Sequence, residues 1–268
     1  SLATINNLSY RPSYSFKALL LHRYYSYDYT ALYAKSLATN SNIQDENGVM
    51  ASISWQSKVG LTLNYYIDYS HFNHPKYLVS KASNALENSL QASWSHNALK
   101  LLLNCRLKNR QYDNADKSGL AWKNTLTLKL QSDYAFSPDY SARLTLQYNR
   151  YSKEETQSHG FMVLANGRLK PWRYLCIDIA ASYFNTDDYN SVIYAYERAL
   201  RYRTGYSQYY GKGMHCGLTL SSAATKWLSL GLKFSGTKYF DRSTIGSSMD
   251  TIDGSAQATI SFEAAVKI

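Results

Sequence analysis

The chain has 268 residues, a formal charge of +10, 26 Tyr against 8 Phe, and only 4 Pro. Its longest stretch free of Asp, Glu, Lys and Arg is residues 213–225. A spanning helix needs roughly 20 apolar residues, so any membrane crossing falls to strands of about 9–11 residues. The Lys and Arg are scattered singly, with no run of five, which argues against nucleic acid as a partner of this chain. Cys105, Cys176 and Cys216 form no Cys-x-x-Cys pair, which argues against a disulfide framework or a structural zinc.

Period-two alternation runs the length of the chain. It begins at Ser1, where Leu2, Thr4, Asn6 and Leu8 oppose Ala3, Ile5, Asn7 and Ser9. Leu61, Leu63, Tyr65 and Ile67 then alternate with Thr62, Asn64, Tyr66 and Asp68. Leu126, Leu128 and Leu130 alternate with Thr127, Lys129 and Gln131, and Ala142, Leu144, Leu146 and Tyr148 with Arg143, Thr145, Gln147 and Asn149. Leu175, Ile177 and Ile179 alternate with Cys176, Asp178 and Ala180, and Leu228, Leu230, Leu232 and Phe234 with Ser229, Gly231, Lys233 and Ser235. Because successive strand side chains point to opposite faces, each strand carries one apolar and one polar face.

Two kinds of connection alternate. Short turns are expected near residues 11–13, 56–59, 95–97, 137–139, 170–173 and 222–226, and longer polar loops over 27–47, 71–84, 113–118, 152–157, 185–211 and 241–254. Short turns on one rim and long loops on the other predict an antiparallel transmembrane β-barrel of about 13–14 strands, with periplasmic turns and extracellular loops. Trp55, Trp94, Trp172 and Trp227 lie beside short turns, while Tyr69, Tyr151, Tyr183 and Tyr239 gather at the opposite strand ends. That spacing predicts two aromatic girdles at two membrane interfaces. Charge on a lipid face costs roughly 2–4 kcal/mol at mid-bilayer. Lys17, Arg23, Asp68, Arg106, Lys129, Asp133, Arg143, Asp178, Lys233 and Glu263 are therefore expected to face the lumen. The loops around 27–47 and 185–211 are rich in tyrosine, Tyr29, Tyr33, Tyr194 and Tyr209 among them, and are expected to fold back over the mouth.

The last residues form an amphipathic strand in which Ile260, Phe262, Val266 and Ile268 share one face. This resembles the C-terminal signal read by barrel-assembly machinery, although the last residue there is usually aromatic. The start at Ser1 and an odd strand count predict that residues 1–268 are the C-terminal part of a longer chain, and that they do not close a barrel alone.

Several stretches together resemble the barrel portion of helix-hairpin-helix-domain-containing outer-membrane proteins. They are His22-Arg23-Tyr24-Tyr25 with Tyr29, Asn42 through Gly48, Tyr65 to Tyr69 with Phe72 and Pro75-Lys76-Tyr77, Tyr194 to Arg198, Tyr210 to Gly213, and Thr244 to Ser248 with Asp250, Ile252 and Gly254. The resemblance implies a barrel in the outer membrane of a Gram-negative-type bacterium, following a periplasmic helical domain. Its partners would be outer-membrane lipid, the barrel-assembly machinery and other envelope proteins. The chain contains no helix-hairpin-helix motif, so no DNA contact carries over.

No catalytic, cofactor or metal site is expected. His71 and His74 have His-x-x-His spacing but no third ligand at fixed spacing, so a solvated loop is the plainer reading. No phosphate-binding glycine loop occurs. The expected function is a channel, translocation component or membrane anchor for a periplasmic domain. The alternatives are a cell-surface barrel hydrolase, which an acid–histidine cluster would favour, and a soluble β-sandwich adhesin, which would bury the apolar faces.

Overall fold

The computed structural model describes residues 1–31, 37–223, 225–246 and 248–266. In chain order the strands are β1 (Ala3–Ser13), β2 (Phe16–Tyr25), β3 (Glu46–Gln56), β4 (Leu61–Phe72), β5 (Ser83–His96), β6 (Leu99–Asp113), β7 (Leu120–Ala135) and β8 (Tyr140–Lys153). There follow β9 (Thr156–Trp172), β10 (Leu175–Thr186), β11 (Ile193–Tyr196), β12 (Tyr206–Tyr209), β13 (Lys212–Ser222), β14 (Leu228–Tyr239), β15 (Thr244–Ile245), β16 (Ile252–Asp253) and β17 (Ala256–Val266). Thirteen of them make one sheet in the order β1 to β10, then β13, β14 and β17. The chain is thus all-β, and β1–β2–β3–β4–β5 and β9–β10–β13–β14–β17 pair antiparallel. The pairs β11–β12 and β15–β16 lie outside this sheet, as small hairpins within the 185–211 and 241–254 loops.

The chain divides into two compact units. One comprises Ser1–Ser95, Leu102–Leu128 and Arg150–Gln157, and the other His96–Leu101, Lys129–Asn149 and Ser158–Ile268.

In the first unit, paired rows carry the alternation from strand to strand. Ala18, Ile53, Tyr65 and Leu90 are successive partners on the apolar face, and Leu21, Met50, Asp68 and Glu87 on the polar face. The short turn after β3 needs a glycine: Gly60 has φ +81°, and a Cβ there would stand 2.3 Å from the Ser95 carbonyl oxygen.

In the second unit, Ile179, Leu218, Phe234 and Ile260 form one apolar row, and Asp178, Thr219, Lys233 and Ser261 a polar one. The apolar face is the bare one. Leu144 is 45% exposed, whereas the adjacent Thr145 is 3% exposed. Leu230 and Phe234 are exposed too. The second unit's core lies on the opposite face, where Met162, Leu164, Ala180 and Phe184 pack with Ile193, Ala195 and Tyr209 of the β11–β12 hairpin.

Some connections depart from the expectation: residues 11–13 belong to β1, with the short turn at Tyr14 and Ser15. Residues 152–157 are no long loop: β8 and β9 run through them and leave a turn at Glu154 and Glu155, with Glu154 at φ +51°. The charges there are solvated strand ends, which read as loop because the segment holds no apolar residue.

Candidate functional site

In the first unit the polar face is tied together by Arg23. Its side chain lies across β3 at Gly48, where a Cβ would come within 2.7 Å of the guanidinium carbon, and so reaches β4. There Nη1 and Nη2 donate to the two oxygens of Asp68 at 2.9 and 3.0 Å, while Nε donates to Glu46 at 2.6 Å. Ser70 accepts a further bond at 2.7 Å. Thr39, from the loop after β2, accepts from Arg23 and donates its backbone N–H to Glu46. Arg23 and Glu46 are each 1% exposed, so this pair tolerates burial because all its charge is matched. Beside it, Glu87 accepts from Tyr66 and Arg106, and Lys108 stands 3.6 Å away.

A cavity of about 390 Å³ opens above this network, among Tyr27, Asp45, Phe72, Lys76, Arg110 and Tyr112. The Lys76 ammonium lies over the Phe72 ring and has no hydrogen-bond partner among the described residues. Burial brings its pKa down to about 8, against the opposing pull of Asp45 and Glu46. The His71/His74 pair is split here: His71 meets Asn84 at 2.8 Å, and His74 meets Asp45 at 2.7 Å. Among the described residues, no group of three or more His, Cys, Asp or Glu could hold a metal.

The second unit carries the most developed arrangement. Strands β11 and β12 place the hairpin's apolar side chains against the polar face of the sheet, and Ile193 is fully buried. Burying such a side chain contributes about 1.5–3 kcal/mol. Glu197, just beyond β11, is the polar anchor at 1% exposure. It accepts the Tyr209 hydroxyl proton, its Oε2 lies 3.2 Å from His215 Nε2, and Lys233 Nζ is 3.6 Å away. Burial alone would push the Glu197 carboxyl up. His215 and Lys233 more than offset this and hold it below the usual range. Small residues in the sheet make room for the hairpin: a Cβ on Gly231 would come within 2.8 Å of Leu200.

His215 Nδ1 also meets Thr237 Oγ1 at 2.7 Å, so hydroxyl, imidazole and carboxylate stand in line. That order is the geometry of an activated nucleophile. Here all three groups are buried, and neither Thr237 nor His215 lines the neighbouring cavity. The cluster latches the hairpin to the sheet.

Next to the latch lies a cavity of about 290 Å³. Asp178 is held by Arg168 at 2.8 and 3.1 Å, Asp133 is paired with Arg143, and Ala180 and Tyr196 supply an apolar side.

The ten charges expected on polar faces lie as follows. Arg23, Asp68 and Arg106 join the first unit's networks, while Lys17 is exposed in register with Ser54. Asp133, Arg143, Asp178 and Lys233 line the second unit's cavity. Lys129 lies two residues before Gln131, which bonds to Asp133, and Glu263 accepts the Tyr202 backbone N–H at 3.3 Å.

Of the aromatics, Trp55, Trp172, Trp227 and Tyr69 are exposed, and Trp94 and Tyr183 are half-buried. Tyr151 and Tyr239 are not placed for a girdle. Tyr151 is buried beside Lys123, because its position shares the parity of Thr145, Gln147 and Asn149. Tyr239 shares the parity of Lys233 and Thr237 and packs on the hairpin core. Ile260, Phe262 and Val266 share the exposed apolar face, and Ile268 lies outside the described residues, as does Tyr33.

Glu46, Arg168, Arg198, Glu197 and His215 were not singled out from sequence. Arg168 could have been found, since it alternates with Leu169 and Gly167 on β9. Nothing in the spacing of Glu197 indicates that a loop carboxylate returns to the sheet.

No protein-family model matches the chain, and no curated protein matches it. Among solved structures, it is similar to the siderophore receptor PirA from Acinetobacter baumannii, at 11% identity and TM-score 0.49, over 96% of this chain and 47% of the receptor. It is likewise similar to the siderophore receptor PirA from Pseudomonas aeruginosa, at 6% identity and TM-score 0.49, over 98% of this chain and 58% of the receptor. The chain thus spans about half the length of these receptors.

Proposed function

We propose that this chain is a non-catalytic, integral outer-membrane β-barrel through which a solute passes. Its apolar face meets lipid, and its polar face lines a lumen partly filled by the β11–β12 hairpin. The observation that carries the reading is the inversion of burial along the strands. Leu144, Leu230, Phe234 and Ile260 are exposed, whereas Arg23, Glu46, Asp178 and Glu197 are buried. A water-soluble sandwich would hide the first set, because exposed apolar area is unfavourable in water and buried charge is costly. In lipid the same pattern is the favourable one.

Membrane anchoring without passage is a second reading, favoured by the hairpin folded over the polar face. A hydrolase is disfavoured by the burial of Thr237 and His215. The test is to refold the purified chain into lipid vesicles. Heat-modifiable gel mobility together with solute flux supports passage, and the same mobility without flux supports anchoring. A monodisperse, detergent-free protein in buffer would overturn the membrane reading.

A further inference from the structure

We propose that the cavity beside the hairpin latch binds a small organic solute bearing a phosphate-type oxyanion. This deepens the passage reading and takes its setting from it. Five basic side chains line the cavity, Lys100, Arg143, Arg168, Arg198 and Lys233, against the three carboxylates Asp133, Asp178 and Glu197. Once the carboxylates are neutralised, two positive charges remain. A phosphate monoester carries about −1.5 to −2 charges at pH 7, so one such group balances the cavity.

The surplus donors can be named. Arg168 spends Nε and Nη2 on Asp178, and Arg143 spends the same pair on Asp133. Arg198 is different. Its nearest carboxylate oxygen, on Asp178, is 3.8 Å away, and among the described residues its guanidinium makes no hydrogen bond. Its side chain is 52% exposed while lining the cavity, so the guanidinium is accessible to a solute there. Lys100 lines the same cavity with no ion pair among the described residues. A guanidinium with free parallel N–H groups matches the spacing of phosphate oxygens, and a lysine adds a mobile point charge.

The rest of the lining argues for an organic ester over a bare ion. Ala180 and Tyr196 give an apolar side to the cavity, and its volume exceeds what one phosphate fills. Arg198 rides on the hairpin while Arg168 and Lys233 belong to the sheet, so a bound oxyanion would also bridge hairpin to sheet.

The test uses phenyl phosphate as probe, with inorganic phosphate and phenol as references, titrated calorimetrically against the detergent-folded chain. Saturable binding of one phenyl phosphate is expected, tighter than for either reference. Arg198→Gln should weaken it about tenfold and Lys100→Gln severalfold, with Arg198→Lys recovering part of the loss. Heat-modifiable mobility checks that each variant folds, and if Arg198→Gln does not, Lys100→Gln carries the comparison. No saturable binding, or equal binding by parent and both Gln variants, overturns the proposal. Bilayer conductance on the same preparation separates the two readings. Conductance without phosphate binding removes the site and leaves passage, whereas binding without conductance removes passage and leaves the site.

Discussion

Glu197 and His215 stand 3.2 Å apart, carboxylate to imidazole, although one lies in a long loop and the other in strand β13. With Tyr209 and Lys233 they fasten the β11–β12 hairpin to the sheet. Replacing Glu197 by Gln removes the charge and leaves the half-buried ammonium of Lys233 without its counter-ion. Hydrogen bonds to charged groups contribute about 1.5–3 kcal/mol. Exchange of the Glu197 amide, which donates to the Gly205 carbonyl at 2.7 Å, should therefore quicken more than tenfold in Glu197→Gln. Trypsin should also cut faster at Arg201 and Arg203. The pH dependence has a definite sign. The Glu197 carboxyl titrates lower folded than unfolded. Its contribution is full above the unfolded value, about 4.3, and is lost as the pH falls through the lower folded value. Amide exchange compared at pH 6 and pH 3, corrected for intrinsic rate, should show the latch loosening only at the lower pH. An unchanged protection factor would show that the apolar packing holds the hairpin unaided.

Arg23 and Gly48 form a matched pair, because the guanidinium occupies the space a β-carbon would take. Gly48→Ala should displace it, and Arg23→Leu should leave Glu46 buried without a counter-charge. Breaking a buried pair on one side costs about 3–5 kcal/mol. Urea titration of the folded band on unheated gels should place both variants well below the parent, with Arg23→Lys intermediate because it cannot serve Glu46 and Asp68 together.

The parity of the strands was legible in the sequence. Each side chain alternates by geometry alone, so Arg143 between Ala142 and Leu144 fixes the face of every neighbour on β8. The same rule places Tyr151 and Tyr239: both lie near strand ends, yet each has the parity of a polar-face residue. The latch was beyond reach. His215 lies on β13 in register with Ser182 and Thr237, but its carboxylate arrives from a loop whose path depends on Ile193 and Tyr209 finding Phe184. No local pattern encodes that contact. The gap at Gly231 is similarly silent until Leu200 is seen to fill it.

The exposed apolar face yields a direct discrimination between lipid and water. Leu144→Arg places charge where the membrane reading puts acyl chains, at a cost of about 2–4 kcal/mol near the bilayer midplane. For a protein in water, an exposed Leu→Arg change usually stays within about 0.5 kcal/mol. Urea unfolding from lipid vesicles should show the larger loss for Leu144→Arg and also for Leu230→Arg. Parent-like stability in both would count against lipid contact at this face.

The two ends of β5 test orientation. Tyr77 is 90% exposed in the loop before the strand, and Asn97 sits in the turn after it with φ +49°. In a background with Cys105, Cys176 and Cys216 replaced by Ala, Tyr77→Cys should react with an impermeant maleimide on intact cells. Asn97→Cys should react only after the outer membrane is opened. The basis is that short turns face the periplasm in outer-membrane barrels. The reverse order of labelling would invert the topology.

The hairpin itself separates framework from filling. Residues 192–209 can be replaced by a short Gly-Ser linker, since Thr186 donates no strand partner to the hairpin and the β10–β13 pairing runs from Asn185 with Lys212 to Leu175 with Ser222 without it. Such a linker is flexible and adds no packing of its own. The strand ladder should survive, so unheated samples should keep the fast mobility of the parent. Two costs follow. Phe184 and Met162, both fully buried, lose their cover, at about 1.5–3 kcal/mol each, and His215 and Lys233 lose Glu197. The thermal transition should therefore fall. In a planar bilayer, single-channel conductance should rise, because side chains that fill the polar side of the sheet are gone. Phenyl phosphate affinity should drop with it, since Arg198 leaves with the hairpin. Conductance equal to that of the parent would show that the hairpin does not obstruct the path, and loss of the fast-migrating form would show that the hairpin is part of the framework rather than its filling.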